Sequence, residues 1–174
     1  MLGRLGFGVA VATVFASAAM AQQSQILFQH KNWEVQVVGW DDGSLGCVAQ
    51  VSAPGESFSL WTFPDDSVQL QFFSTAWQFE DGTTANLEVQ IDRRSPWSLS
   101  DAQLTQNSVL FNLPDSKAGV NFILEVARGT RLYLRADDGS DVQDYSLAGS
   151  RASIDALIEC GKVIQSQTPG NPFN

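Results

Sequence analysis

The sequence predicts a mainly β domain, an antiparallel sandwich or partly open barrel, with one or two short helices and the C-terminal helix linked to the sheet by a disulfide. Three observations predict it. Short runs alternate apolar and polar residues, which is the period of a half-buried strand. Clusters of Asp, Gly and Pro punctuate those runs at the spacing of antiparallel hairpins. Near the end, Ile154, Leu157, Ile158 and Gly161 fall on one face of a helix that also carries Cys160, and the other cysteine is Cys47.

Residues 22–31 read as a polar lead-in, and 32–165 as the single domain. Trp33, Val35 and Val37 alternate with Glu34 and Gln36, so they form the first strand. Asp41-Asp42-Gly43-Ser44 is a turn, because Asp-Gly readily supplies a positive φ. Cys47, Ala49 and Val51 share one face of the returning strand, which aims Cys47 inward. Phe58 to Phe63 is the next strand, Pro64-Asp65-Asp66-Ser67 a turn, and Val68, Leu70 and Phe72 alternate after it. An Asp81-Gly82 turn precedes the strand of Leu87, Val89 and Ile91. Arg93 to Pro96 interrupts. Trp97–Leu99 and Val109–Phe111 are weaker strands, with Ser100 to Ser108 as polar loop or loosely paired chain between them.

The segment 115–129 fits both periods. Val120, Phe122, Leu124 and Val126 alternate, yet Val120, Ile123, Leu124 and Ala127 make a helical stripe. A short helix is preferred, capped by Asp115 or Ser116 and stopped at Gly129. Leu132–Leu134 and Val142–Leu147 are the last strands, around a second Asp-Asp-Gly-Ser turn at 137–140. Ser150 is placed to cap the C-terminal helix. The tail 166–174, with Pro169, Gly170 and Pro172, reads as disordered.

Residues 1–21 read as a signal peptide: Arg4, then an apolar run to Ala19, then Ala19-Met20-Ala21 as a small-x-small cleavage site. The remaining roughly 150 residues suit one domain. The expected location is periplasmic or secreted, with no transmembrane anchor after cleavage following Ala21. In an oxidising compartment two cysteines read as one disulfide, Cys47–Cys160, closing a loop worth about 4–5 kcal/mol in the chain-entropy model. The net charge of −9 argues against nucleic acid and anionic membrane surfaces, both of which require basic patches.

The chemistry is sparse. His30 stands alone and reads as a solvated residue ahead of the first strand, so no Ser-His-Asp or Cys-His arrangement is indicated. There is no clustered His and Cys for zinc and no glycine loop for phosphate. Asp137, Asp138, Asp141 and Asp144 offer oxygen ligands, but lack EF-hand spacing and read as a solvated acidic turn. No carboxylate spacing selects a hydrolytic pair. Trp33, Trp61 and Trp77 are expected to fill the sheet core. Trp40 and Trp97 sit beside turns and are the candidate ligand contacts. No metal and no cofactor is expected, and no catalytic residue is assigned.

The Trp33-x-Val35-x-Val37 strand followed by Cys47, the strand ending Ile91-Asp92, the run from Arg128 to Arg135 (RGTRLYLR) and the ending from Tyr145 to Cys160 (YSLAGSRASIDALIEC) form a pattern. It resembles small exported proteins of alphaproteobacteria, in particular the invasion-associated locus B family. There too a final strand runs into a Leu-x-Gly start and an apolar helix. The resemblance implies an exported β-rich envelope protein and transfers no catalytic residue. The expected function is thus a non-enzymatic exported interaction protein of the envelope, with an unidentified envelope or host protein as partner. The alternative is a small-ligand or glycan-binding module.

Overall fold

The structure, a computed structural model, describes residues 23–167. The stretch read as a signal peptide and most of the stretch read as a tail lie outside the described residues. Ser166 and Gln167, counted above with the tail, end the last helix.

Ten strands among the described residues form one antiparallel sheet. They are β1 (Gln23–His30), β2 (Trp33–Gly39), β3 (Leu45–Ala53), β4 (Glu56–Thr62), β5 (Val68–Ser74), β6 (Phe79–Ile91), β7 (Trp97–Gln106), β8 (Ser108–Asn112), β9 (Arg131–Ala136) and β10 (Asp141–Ser146). Their spatial order is β1-β2-β3-β4-β5-β8-β7-β6-β9-β10. Among the described residues there are also two helices, α1 (Lys117–Arg128) and α2 (Ser150–Gln167). The mainly β expectation, with two helices, holds.

The sheet curls so that its last strand faces its first half. Tyr145 of β10 packs on Phe58 of β4 and Phe72 of β5, with ring centroids 6.1 and 6.4 Å apart. The Trp33 indole N–H of β2 donates to the Ser146 carbonyl at 3.4 Å, and the Gln143 amide donates to the Phe73 carbonyl at 3.2 Å. Between these walls lies one apolar core, with Trp33, Phe58, Leu60, Phe72, Ile91 and Leu134 buried. Removing that much apolar surface from water is the main favourable term in folding. Strands β1 and β10 do not pair, so the sheet is an open curl.

Two local readings change and one is settled. The polar lead-in contains strand β1, paired along β2 from Gln23↔Gly39 to His30↔Trp33. Its alternation is hidden because it is an edge strand whose register shifts between Ile26 and Phe28. Of the two readings of Ser100 to Ser108, loop or loosely paired chain, the structure shows paired chain: most of it is β7, a strand that buries only Leu99 and Ala102 and so looks polar. Asp81-Gly82 is not a turn ahead of the strand. It lies inside β6, where Gly82 takes φ +82 and the register with β7 shifts between Phe79 and Thr83.

The segment 115–129 is helical, as preferred. Its N-cap is Ser116, whose side chain accepts from the Ala118 N–H at 3.2 Å, and it stops at Gly129. In α2 the buried face is Ser153, Ile154, Leu157, Cys160 and Ile164, while Ile158 is exposed. The helix is turned toward Cys160 because that side chain must meet Cys47. Ser150 does not cap: its hydroxyl is buried and donates to the Val126 carbonyl at 2.8 Å, joining the start of α2 to the end of α1.

Candidate functional site: an apolar groove beside the disulfide

Helix α2 crosses the β1–β3 end of the sheet, where Cys160 meets Cys47. The two Cα atoms are 6.1 Å apart, the sequence separation is 113, and both residues are buried. The expected disulfide is therefore present. It holds the middle of α2 against β3, and the last turns of the helix run on over β2 and β1.

A groove of about 610 Å³ opens between those turns and the strands. Its floor is Cys160, Ile164, Val37 and Leu45, and its walls include Leu27, Phe28, Ala156 and Val163. Neighbouring residues of a regular strand face opposite ways. Leu27 and Phe28 nevertheless both line the groove, because the register shift in β1 falls between Ile26 and Phe28. Leu27 is 49% and Val163 52% exposed, high values for side chains of this kind. At the mouth, Glu159 is engaged by Lys162 at 2.7 Å. A smaller cavity of about 280 Å³ lies on the other flank of α2, lined by Leu60, Val68, Ile123, Leu157 and Ile158.

The candidate tryptophans stand in separate places. Trp40, after β2, packs on Trp61 with centroids 6.0 Å apart, and Trp61 is nearly parallel to Phe63, at 8°. Trp97 meets Phe122 edge-on at 5.6 Å, and its indole N–H donates to Glu125 at 3.0 Å beside a polar cleft with Arg94 and Arg128. Both are half-buried. Of the tryptophans expected in the core, Trp33 is 1% exposed and is there. Trp61 is not: it alternates with buried Leu60, faces the other side of the sheet, and donates to Gln71 at 2.8 Å. Trp77 is half-buried against Phe79.

Several acidic residues are committed to structure. Asp42, Asp65 and Asp138 each accept from the backbone N–H two residues on, at Ser44, Ser67 and Ser140. Those serines hold all three carboxyls below the usual carboxylate range. Asp141 pairs with Arg135 at 2.7 Å and Asp144 pairs with Arg131. A general acid needs a carboxyl raised by its surroundings, and these shifts run the other way. Among the described residues no group of three or more His, Cys, Asp or Glu could hold a metal ion. No helix among them is long and apolar enough to cross a membrane. His30 is exposed, on β1 rather than ahead of the first strand.

The curl of ten strands, with a helix bolted across one end, has a counterpart among solved structures. The chain shares the fold of invasion associated protein b from Bartonella henselae. The TM-score is 0.51 over 78% of this chain and 97% of that one, at 14% sequence identity. No family model matches the sequence, and no curated protein matches it. At that identity the likeness is one of fold, and it agrees with the resemblance read from the strand and helix motifs.

The groove itself was missed by sequence reasoning. The one signal was Ile26-Leu27-Phe28, an apolar triplet within an otherwise polar stretch.

Proposed function

We propose that the chain is an exported, non-enzymatic interaction protein of the bacterial envelope, and that it binds a protein partner through the groove between α2 and β1–β3. The observation that carries this reading is the groove, where Leu27 and Val163 stand about half exposed over an apolar floor. Exposed contiguous apolar surface marks interaction sites, because leaving it in water is costly. The fold supports the reading through the solved protein it matches, which is named for association with invasion. Export follows from the reading of residues 1–21 as a signal peptide cleaved after Ala21, which places the mature protein in the periplasm or outside the cell.

The test is capture from envelope extract by the oxidised mature protein, compared with Val163→Glu. The expected result is a reproducible protein partner with wild type that is lost with the variant. Equal capture by both would sink the groove as the contact.

A second reading, binding of a small ligand or glycan, draws on the near-parallel Trp61 and Phe63 rings beside Trp40, with Trp97 as the other contact. Flat aromatic faces flanked by amides such as Gln71 suit sugar rings. Glycan-array binding that disappears in Trp40→Ala would favour it.

A further inference from the structure

We propose that the outer face of the sheet, across β2–β5 and β8, binds a neutral polysaccharide chain. This rests on the reading of Trp40, Trp61 and Phe63 as a sugar contact, extends it from three rings to a whole face, and names the class of ligand.

Alternation along each strand sends one set of side chains into the core and the other outward. The inward set on β3 is Cys47, Ala49 and Val51, the side on which α2 is bolted. The outward sets are held in register from strand to strand. Gln36, Val48, Trp61, Gln69 and Asn112 are successive partners across β2, β3, β4, β5 and β8. Beside them run Gln50, Ser59, Gln71 and Leu110. Four inter-strand spacings of about 4.8 Å make the first row roughly 19 Å wide, room for several sugar units in a chain.

These residues are tied into a fixed layer. The Trp61 indole N–H donates to Gln71 Oε1 at 2.8 Å, and Gln71 Nε2 donates to the Ser108 hydroxyl at 2.9 Å. The Ser59 hydroxyl donates to Gln50 at 3.2 Å, and the Gln69 amide donates to Asn112 Oδ1 at 2.9 Å. At one end of the face, Gly46 lets the Trp40 ring reach in beside Trp61: a Cβ on Gly46 would stand 2.9 Å from Trp40 Cη2. Side chains already held by one another lose little freedom when a ligand arrives. A primary amide has two N–H donors and an oxygen with two lone pairs, so each amide bonded here keeps positions for a ligand.

Charge selects the ligand. The chain carries 10 basic and 19 acidic residues, yet the charged residues of these five strands are Glu34 and Glu56 alone. Glu56 acts on the inner side, where its charge raises the Tyr145 pKa. Glu34, on β2, accepts from Gln36 at 2.6 Å. The turn carboxylates Asp42 and Asp65, at the rim, are held by the Ser44 and Ser67 hydroxyls. An anionic ligand therefore meets no guanidinium or ammonium on these five strands, and a cationic one meets a single outward carboxylate. An aliphatic protein surface finds no match either. The exposed large apolar side chains of the described residues, such as Leu27, Leu124 and Val163, lie on β1, β10 and the helices. What remains is amides, hydroxyls and flat rings, and a neutral sugar presents the hydroxyls and C–H faces that match them.

The experiment is native gel electrophoresis of the oxidised exported protein through gels containing dissolved hydroxyethyl cellulose, dextran or galactomannan, with carboxymethyl cellulose as the anionic control. The expected result is retardation by at least one neutral polymer and none by the carboxymethylated one. The dissociation constant, titrated in solution, does not move with salt, since no ion pair is involved. Trp61→Ala weakens binding about tenfold. Gln69→Ala weakens it about threefold with a thermal midpoint close to wild type, which separates a lost contact from a lost fold. Retardation by none of the neutral polymers overturns the proposal. Retardation that survives Trp61→Ala and disappears in Trp97→Ala, or that carboxymethyl cellulose alone causes, overturns it while the broader reading of a glycan-binding module stands.

Discussion

Asp92 and Arg131 bond to each other in both directions. The Asp92 N–H donates to the Arg131 carbonyl at 2.9 Å, and the Arg131 N–H donates to the Asp92 carboxylate at 3.0 Å. The same carboxylate oxygen accepts from the Thr130 N–H at 3.0 Å, while Asp92 itself takes φ +55. One side chain thus fixes the end of β6 to the point where the chain leaves α1 and enters β9. The Ile91-Asp92 ending noticed in the sequence is this clamp.

Asp92→Ala removes a charged acceptor from two backbone donors and places a Cβ-bearing residue without a local acceptor in the left-handed region. The expected cost is about 2–3 kcal/mol, read as a fall in the denaturant midpoint. Asp92→Asn keeps an oxygen acceptor and tolerates that φ, so it loses less. Equal losses for the two variants would count against the clamp.

The alternating strands were legible because one face of each is buried. Trp33 and Val35 on β2, or Leu70 and Phe72 on β5, each sit opposite polar neighbours. Strand β1 was not, since an edge strand with a register shift keeps no simple period, and β7 was not, since it buries two residues in ten. The disulfide was legible from compartment and from the inward aim of Cys47. The groove was not, because Leu27 and Val163 come together only when α2 is laid across the sheet.

Cys160→Ser leaves the sheet intact and lowers the melting temperature. The chain-entropy expectation is about 4–5 kcal/mol, and native relaxation reduces it. Circular dichroism in the far ultraviolet should keep its β signal at room temperature while the thermal midpoint falls. Mass mapping that finds both thiols free in exported protein would contradict the bond.

Gly129 ends α1 with an ordinary φ of −77, so its role is room rather than backbone freedom. A Cβ there would stand 2.5 Å from Ile91 Cγ2 and 2.7 Å from Leu147 Cδ1, both fully packed side chains. Gly129→Ala is expected to destabilise by about 1–3 kcal/mol through overpacking, despite alanine's better helix propensity. A chemical denaturation curve decides it, and a gain in stability would show that the junction can shift.

Tyr145 should govern the alkaline limb. Its hydroxyl donates to Gln143 at 2.9 Å, and burial first, then the Glu56 and Asp144 charges, push its pKa above the ordinary 10.0. Above pH 10 the unfolded chain releases this proton while the folded protein keeps it, so stability falls as pH rises. Tyr145→Phe should be less stable at neutral pH, through the lost bond, and should show a shallower fall above pH 10. An unchanged alkaline slope would assign that limb to other groups.

The Cys47–Cys160 bond makes most of the molecule a covalent ring. Strands β4 to β10 and helix α1 lie wholly within the loop it closes. A protease that cuts the backbone once anywhere in that loop releases no fragment, because the two pieces stay joined through sulfur. Under oxidising conditions such a nick is invisible by mass apart from one added water, and the severed ends remain pinned beside their partners. The same nick becomes two separate chains once the bond is reduced. Wherever a protease meets this domain, the topology converts a cleavage that would dismantle an unbridged domain into a local wound.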